Sequence, residues 1–435
     1  MDKRSIWKKT TDAPSFPVLE GRRETDVLII GGGITGVLCA YQLQKAGVGC
    51  VLLEARRICG GVTENTTAKI TLLHGAIYDR MIARFGLETA KGYLLAQEEA
   101  MREYASLAER IECDFERCPS FVYSRDDCAK IKREVAALKR LGCRAEFYDS
   151  IELPFEVAGA VGVGEQAQFH PLKLLYALAK DLPIYENSEI IELREDGAVT
   201  KHGRVCAKRI IVATHFPFLN QHGSYFLKLY QHRSYVIALE NATKLNGSYV
   251  DENEKGMSFR TWGDLLLLGG GGHRTGKPGG GWQELEAFAR SHYPGARVVA
   301  RWATQDCMTL DEIPYIGQYS AATEDLYVAT GYNKWGMTSA MVAARLLCDL
   351  VRGRKNRNAT IFSPSRSILR PQLALNVMES VMGILTPTVP RCTHLGCALK
   401  YNAQEHSWDC PCHGSRFDEH GKLINNPATR DKKFK

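Results

Sequence analysis

Cys392 and His394 are one residue apart, Cys410 and His413 two residues apart, and 15 residues separate the two pairs. They sit in the strings Cys392-Thr393-His394-Leu395-Gly396-Cys397 and Cys410-Pro411-Cys412-His413-Gly414-Ser415. Two thiolates suit one iron and two imidazoles suit another, so the set can hold a [2Fe–2S] cluster with mixed ligation, a one-electron carrier. A tetrahedral zinc site is the competing use of these residue types. Zinc strings usually pair like ligands. Each loop here supplies one Cys–His pair and keeps a spare cysteine, Cys397 or Cys412.

A second constellation lies near the N-terminus. Asp26-Val27-Leu28-Ile29-Ile30 reads as a buried strand and runs into Gly31-Gly32-Gly33-Ile34-Thr35-Gly36, which opens a helix to about Ala46. A second strand, Cys50–Leu53, ends at Glu54, 23 residues after the first glycine. Glycines in this pattern allow a tight turn, close approach of backbone to a pyrophosphate, and close helix–strand packing. The helix N-terminus faces the phosphates, and the acid takes ribose hydroxyls.

The C-terminal strings closely resemble a Rieske iron–sulfur domain. The resemblance implies that Cys392 and Cys410 ligate one iron, His394 and His413 the other, and that Cys397 and Cys412 form a disulfide over the cluster. Ser415 matches the residue that hydrogen-bonds a bridging sulfide in high-potential members. Phe417 stands where those members usually carry tyrosine, and loss of that donor lowers the expected potential. Only about 25 residues lie between a domain start near Ser367 and Cys392, too few for the usual several-stranded base. A compact variant, or a base completed by the rest of the chain, is expected.

From about Asp26 to Val351 the layout resembles an FAD-dependent oxidoreductase of the glycine/D-amino-acid oxidase group. Lys208–His215 resembles its second conserved strand, and Asp325–Gly331 leads through Tyr332 to Gly336-Met337 and a helix of roughly 15 residues. Phe169-His170-Pro171, Trp302–Asp306 and Ile313–Gly317 belong to the same pattern. It implies FAD contacts from Gly31, Gly33, Ile34, Thr35 and Gly36 at the turn, and from Glu54, Ala55 and Arg56 after the second strand. Thr66 and Thr67 are expected along the flavin, with Ala213 and Thr214. Gly331, Gly336, Met337 and Thr338 are expected to put a helix N-terminus beside the flavin ring, where its dipole stabilises negative charge. The resemblance also offers catalytic candidates: Arg260 to pair with a substrate carboxylate, His273 where the substrate domain returns to the flavin, and Lys334 beside the ring. Cys307 does not match the offset of covalent attachment, so non-covalent FAD is expected.

The fold class expected is α/β: a Rossmann-like FAD-binding domain with an inserted α+β substrate domain, plus a small all-β Rieske domain. The boundaries read as 1–365, with the FAD-binding core at about 24–75, 155–215 and 300–355, and 366–435 for the cluster domain. A chain of 435 residues accommodates these modules. A formal net charge of +7 without a basic block argues against nucleic acid. No run reaches the length of a membrane span, and Met1–Glu20 lacks the apolar core of a secretion signal. The scattered cysteines suit a reducing cytoplasm. Gly271-x-x-x-x-Gly276-Lys277 mimics a triphosphate-binding loop, but Pro278 replaces the magnesium-holding hydroxyl, so a flexible turn is expected. Leu373–Leu385 has helical apolar spacing and reads as a helix that docks the cluster domain. The functional reading is oxidation of a small substrate, an amine or amino acid, at FAD, with single electrons passed to an external acceptor. An electron-transfer module or redox sensor without turnover is the alternative.

Overall fold

In a computed structural model, residues 3–219, 222–387 and 390–433 are described. The first strand spans Gly21–Ile30, and its last four residues are fully buried. It pairs in parallel with Cys50–Leu53 on one side and Gly203–Val212 on the other. Buried on both faces, such strands are continuous apolar runs, which is why Val27–Ile30 and Ile210–Val212 were readable. The strand begins before Asp26 because Gly21–Thr25, a polar stretch, pairs with Gly203–Ala207. Leu326–Thr330 continues the sheet through Val212 opposite Val328. The helices Ile34–Lys45 and Gly336–Val351 cover it and pack on one another.

A second, nine-stranded mixed sheet forms the substrate domain. Its three outer strands are Leu265–Arg274, Leu229–Glu240 and Arg297–Thr309, joined antiparallel. The cluster domain rests on these three. Its own sheet has four strands, Lys400–Asn402, Ser407–Asp409, Arg416–Asp418 and Leu423–Asn425, each of three residues. Its private core is Cys392, Cys397, Leu399, Cys410, Cys412, Phe417 and Ala428, more than half of it cysteine. A core this small needs outside support, and the substrate domain provides it.

The glycine run after Leu268 is where that support is seated, which corrects the expectation of a flexible turn. Gly276 lies at φ +75°, and a Cβ there would stand 2.7 Å from the Pro411 nitrogen. Gly281, at φ +59°, lies against the Gln404 amide in the same way. A side chain at either position would push the cluster domain away. The junction between the modules is also anchored: Arg366 makes two 2.7 Å contacts with buried Asp311 and stacks 3.9 Å over Tyr315. The helix expected over Leu373–Leu385 forms, as Pro371–Leu385, but buries only Asn376 and Gly383. It docks through one seam and leaves its apolar face outward.

Candidate functional site

A cavity of about 1550 Å³ runs between the two sheets. At one end the fingerprint turn opens into it. Gly31, at φ +105°, is tight against the Ala213 carbonyl, where a Cβ would approach to 2.6 Å. Gly36 sits on the Gly31 carbonyl at a distance that leaves a Cβ 1.9 Å. Gly36 therefore packs helix on strand and does not line the cavity, whereas Gly31, Gly33, Ile34 and Thr35 do. The helix that follows has Gly33 as N-cap and no acid in its first turn, and the Thr63 hydroxyl accepts the Ile34 N–H at 3.0 Å. A helix N-terminus without an acid suits a phosphate. Glu54 accepts the Gly32 N–H at 2.7 Å and the Arg56 N–H at 2.8 Å, so it shapes the turn; burial raises its pKa.

Further along, Ala55, Arg56, Thr66, Thr67, Ala213 and Thr214 border the same space. Gly331, Gly336 and Met337 line it as well, and Tyr332 between them meets the Thr35 hydroxyl at 2.8 Å. The helix Gly336–Val351 also starts without an acid in its first turn. Two helix N-termini without acids in their first turns, both bordering one cavity, fit a dinucleotide. Thr338 departs from expectation: its hydroxyl is buried against His74 Nε2 at 3.0 Å and the Thr71 carbonyl at 3.5 Å, away from the cavity lining.

The catalytic candidates separate. Lys334 lines the cavity with its side chain exposed there. The surrounding protein lowers its amine below the usual lysine range, against Asp306 and then Glu254, which favour its charge. Asp306 faces the same space with its carboxyl raised by burial, and Ser234 donates to it at 3.2 Å. Arg260 is a correction. Its Nη1 donates to the Thr67 and Ala68 carbonyls at 2.6 and 2.8 Å, it is fully buried, and it lies outside the cavity lining. It holds the Thr67–Ala68 backbone, where Ala68 adopts φ +54°. His273 is a second correction. Its Nε2 meets the Tyr235 hydroxyl at 3.1 Å, and that hydroxyl donates to Glu405 of the cluster domain at 2.9 Å. It faces the domain interface. Two cavity residues had no sequence signal: Lys69, pushed down to about 7 by burial and by Arg260, and His74, stacked on Trp335 with centroids 5.0 Å apart.

The cluster loops repeat one design. In each, the first cysteine N–H is bonded to the carbonyl five residues on, Cys392 to Cys397 at 2.8 Å and Cys410 to Ser415 at 2.9 Å. In each, the glycine at the fourth step returns an N–H to that first cysteine, with φ +79° at Gly396 and +84° at Gly414. Cys392 and Cys410 are brought thiol to thiol. The rings of His394 and His413 meet edge to face with centroids 5.0 Å apart. Burial holds His394 down at about 4 and His413 at about 3, so both imidazoles are neutral, as ligands must be. Two thiols beside two neutral imidazoles fit the mixed-ligand cluster. The sulfur atoms of Cys397, Cys410 and Cys412 lie within 4.8 Å of one another. Cys397 and Cys412 stand beside one another as free thiols.

Ser415 accepts the Ala428 N–H at 3.0 Å and turns its hydroxyl to Cys392. Removing that donor should destabilise the reduced cluster. Ser415→Ala is expected to lower the midpoint potential with the cluster still assembled, read by redox titration of its EPR signal. An unchanged potential would detach Ser415 from the sulfur.

The two halves are joined by side chains for which the sequence suggested no such role. Gln231 Nε2 donates to the carbonyls of His413 and Asn426, both at 2.9 Å. Gln305 Nε2 donates to the Gly414 carbonyl at 2.8 Å. Gln305 is the neighbour of Asp306, so one strand touches the cluster loop and lines the cavity at consecutive positions. Asn426 donates to the Thr214 carbonyl at 2.8 Å, and Asn425, Asn426 and Thr429 of the cluster domain line the cavity. Arg233 and Arg416 converge on Glu405, which burial raises but the two guanidiniums bring down to about 2.

An open dinucleotide cavity on a parallel sheet, with a four-ligand iron–sulfur site docked on its wall, defines a flavin-dependent oxidoreductase with a built-in one-electron carrier. Comparison with known proteins agrees. Residues 26–350 match the FAD dependent oxidoreductase (DAO) family and residues 365–435 the Rieske [2Fe-2S] domain. The chain belongs to the DAO family of FAD-dependent oxidoreductases and carries a C-terminal Rieske domain; its cofactors are FAD and a [2Fe–2S] cluster. It is 34% identical over 489 aligned positions to a Bacillus subtilis (strain 168) protein named as a Rieske 2Fe-2S iron-sulfur protein, YhfW, across 98% of this chain and 96% of that protein. It is 26% identical to gamma-glutamylputrescine oxidoreductase of Escherichia coli (strain K12), across 79% of this chain and 87% of that one. Glycine oxidase from Geobacillus kaustophilus superimposes with a TM-score of 0.66 at 20% identity, covering 80% of this chain and 100% of that one.

Proposed function

We propose that the protein oxidises a small cationic amine in this cavity and delivers the electrons singly, through the cluster, to an external one-electron acceptor. Bound FAD supplies two-electron oxidation and the cluster supplies one-electron transfer. The observation that carries the reading is the shared wall: Gln305 holds the cluster loop while Asp306 beside it faces the cavity. An amine is favoured over a carboxylate-anchored amino acid by the charges in the wall. Among the arginines that line the cavity, Arg57, Arg80, Arg233 and Arg416 are each paired with an acid, and Arg56 donates to the Leu423 carbonyl at 2.9 Å. Arg260 is turned elsewhere. Asp251, Glu254 and Asp306 also line it, and burial raises Asp251 to about 6. The Escherichia coli relative is named an oxidoreductase of gamma-glutamylputrescine, an amine, which supports the same class.

Amine oxidation needs the neutral amine. Lys334, its pKa lowered by burial, is placed to take the proton of an arriving ammonium, and Asp306 steadies the charge that results. The wild-type rate should therefore rise with pH as Lys334 deprotonates, below the usual lysine range. In Lys334→Met, kcat/KM near neutrality is expected to fall roughly a hundredfold and to recover only as pH approaches the pKa of the free amine. A pH profile that keeps its shape in this variant would remove Lys334 from the proton's path.

We also propose the ligand roles of Cys392, Cys410, His394 and His413, a Cys397–Cys412 disulfide once the cluster is assembled, and non-covalent FAD. The cysteines outside the cluster loops are all unpaired thiols, which supports a cytoplasmic location. Among the described residues no helix is long and apolar enough to cross a membrane. The substrate class is tested by anaerobic flavin bleaching with matched pairs of amines and α-amino acids. Faster bleaching by the amines is expected. Bleaching by the carboxylate-bearing partners alone would overturn the assignment.

A further inference from the structure

The helix Pro371–Leu385 contains one charged residue, Glu379, which Lys277 engages at 2.8 Å. A helix that is apolar nearly all round is ordinarily buried all round. This one is held along a single seam. Asn376 donates to the Leu227 carbonyl at 3.3 Å and accepts from Arg274 at 3.1 Å. One heptad on, Gly383 lies so close to the cluster loops that a Cβ would stand 2.5 Å from Cys412 Sγ. The opposite face is open: Leu375, Met378, Met382 and Leu385 are 48–71% exposed. Val377, Val381 and Ile384 flank them at 41–50%, and Leu369 just before the helix is at 79%. Of the other exposed large apolar residues among those described, Leu87 and Ile191 lie in the flavin half and Leu395, Tyr401 and Ile424 in the cluster domain.

The pattern of that face points to its occupant. Leu375, Met378, Met382 and Leu385 are spaced three, four and three residues apart, the a/d seam that receives another helix. Together the eight exposed side chains present on the order of 800 Å², one partner's share of a standard stable interface. A membrane surface is poorly matched, because interfacial helices border their apolar face with lysine and arginine. This helix has neither, and its polar residues Gln372, Asn376 and Ser380 lie on or beside the docked seam. With no charge on the open face to select a different partner, the surface complementary to it is the same seam on a second copy, related by a twofold axis.

We propose that the holoenzyme is a twofold dimer in which Pro371–Leu385 packs against the same helix of a second copy. Since Gly383 backs onto Cys412 and Cys397, the pairing sets one cluster on each side of a two-helix layer. It also shields the helix side of each cluster from water. The experiment is sedimentation velocity on the FAD- and iron-loaded protein, whose chain mass is 48.5 kDa. Wild type is expected at twice that mass. Met378→Glu combined with Leu385→Glu is expected to give the single-chain mass with unchanged flavin absorbance and iron content. Ile191→Glu, on an exposed strand elsewhere, should remain dimeric. Because the double variant could lose its fold, hydrogen exchange of residues 371–385 in wild type is followed on dilution as well, and protection should fall as dimer dissociates. A wild type of single-chain mass at tens of micromolar, or a dimer that survives both glutamates, would overturn the proposal. So would a monomer that co-sediments with vesicles of anionic phospholipid, which would give the face to a membrane.

Discussion

Glu405→Ala should detach the cluster domain while leaving the flavin half folded. Glu405 is buried, and it takes both Arg233, through Nε at 2.9 Å and a second contact, and Arg416 at 2.8 Å. Arg416 keeps Asp409 when Glu405 is gone, but Arg233 is left buried with no acid. Stranding one partner of a buried pair costs about 3–5 kcal/mol, comparable to all that so small a domain can contribute. The expected result is early melting and rapid proteolysis C-terminal to about residue 365, with flavin content retained. Glu405→Gln should fall between, since it keeps shape but not charge. The same carboxylate sets an acid limit. Its folded pKa is depressed to about 2 against an ordinary 4.5, so its contribution is complete above 4.5 and drains away as pH falls through 2. Unchanged melting and protease resistance in Glu405→Ala would show that the pair does not fasten the domains.

The second large effect is at Gly36. A methyl group there would lie 1.9 Å from the Gly31 carbonyl oxygen, and both atoms belong to the rigid frame of the dinucleotide turn. The helix must shift off the strand to admit it, which moves the N-terminus that faces the cavity. Overpacking of this kind costs roughly 1–3 kcal/mol, and FAD binding should weaken at least tenfold. The ratio of flavin to protein absorbance after purification reads the loss. Gly47→Ala is the control, because that glycine, at φ +73°, has nothing within 4 Å of its would-be Cβ. It should keep full flavin content at a small cost in stability. Full flavin content in Gly36→Ala would mean that the turn tolerates displacement and that the fingerprint geometry does not govern binding.

What the sequence disclosed follows a physical division. The dinucleotide turn and the cluster loops were legible because their partners are local: Gly36 meets Gly31, and Cys410 closes on Ser415. Backbone geometry over a few residues dictates those side chains. Contacts across the chain were not legible. Arg260 reads as a strand arginine free to meet substrate, yet its carbonyl acceptors at Thr67 and Ala68 lie 193 and 192 residues away. Glu405 looks like a surface acid until Arg233, 172 residues earlier, is folded against it. Gln231 carries no motif, Gln305 reads only as part of Trp302–Asp306 and not as a domain contact, and their acceptors are loop carbonyls that any residue supplies. The glycine run ending at Gly276 announced itself as unusual but not why, since the object it accommodates, Pro411, is remote. The helix near the C-terminus shows the same split: its periodicity gave its existence and extent, while burial of its two faces depends on what stands beside it.

The central claim is that electrons taken from substrate in the cavity reach the cluster within one chain. Freeze-quench EPR tests it most directly, on anaerobic, iron- and FAD-loaded protein mixed with an amine that bleaches the flavin. The signal of a reduced mixed-ligand [2Fe–2S] cluster is expected to grow in after the flavin bleaches and to reach one spin per chain. A fully bleached flavin beside a cluster that stays EPR-silent, but that dithionite can still reduce, would contradict it.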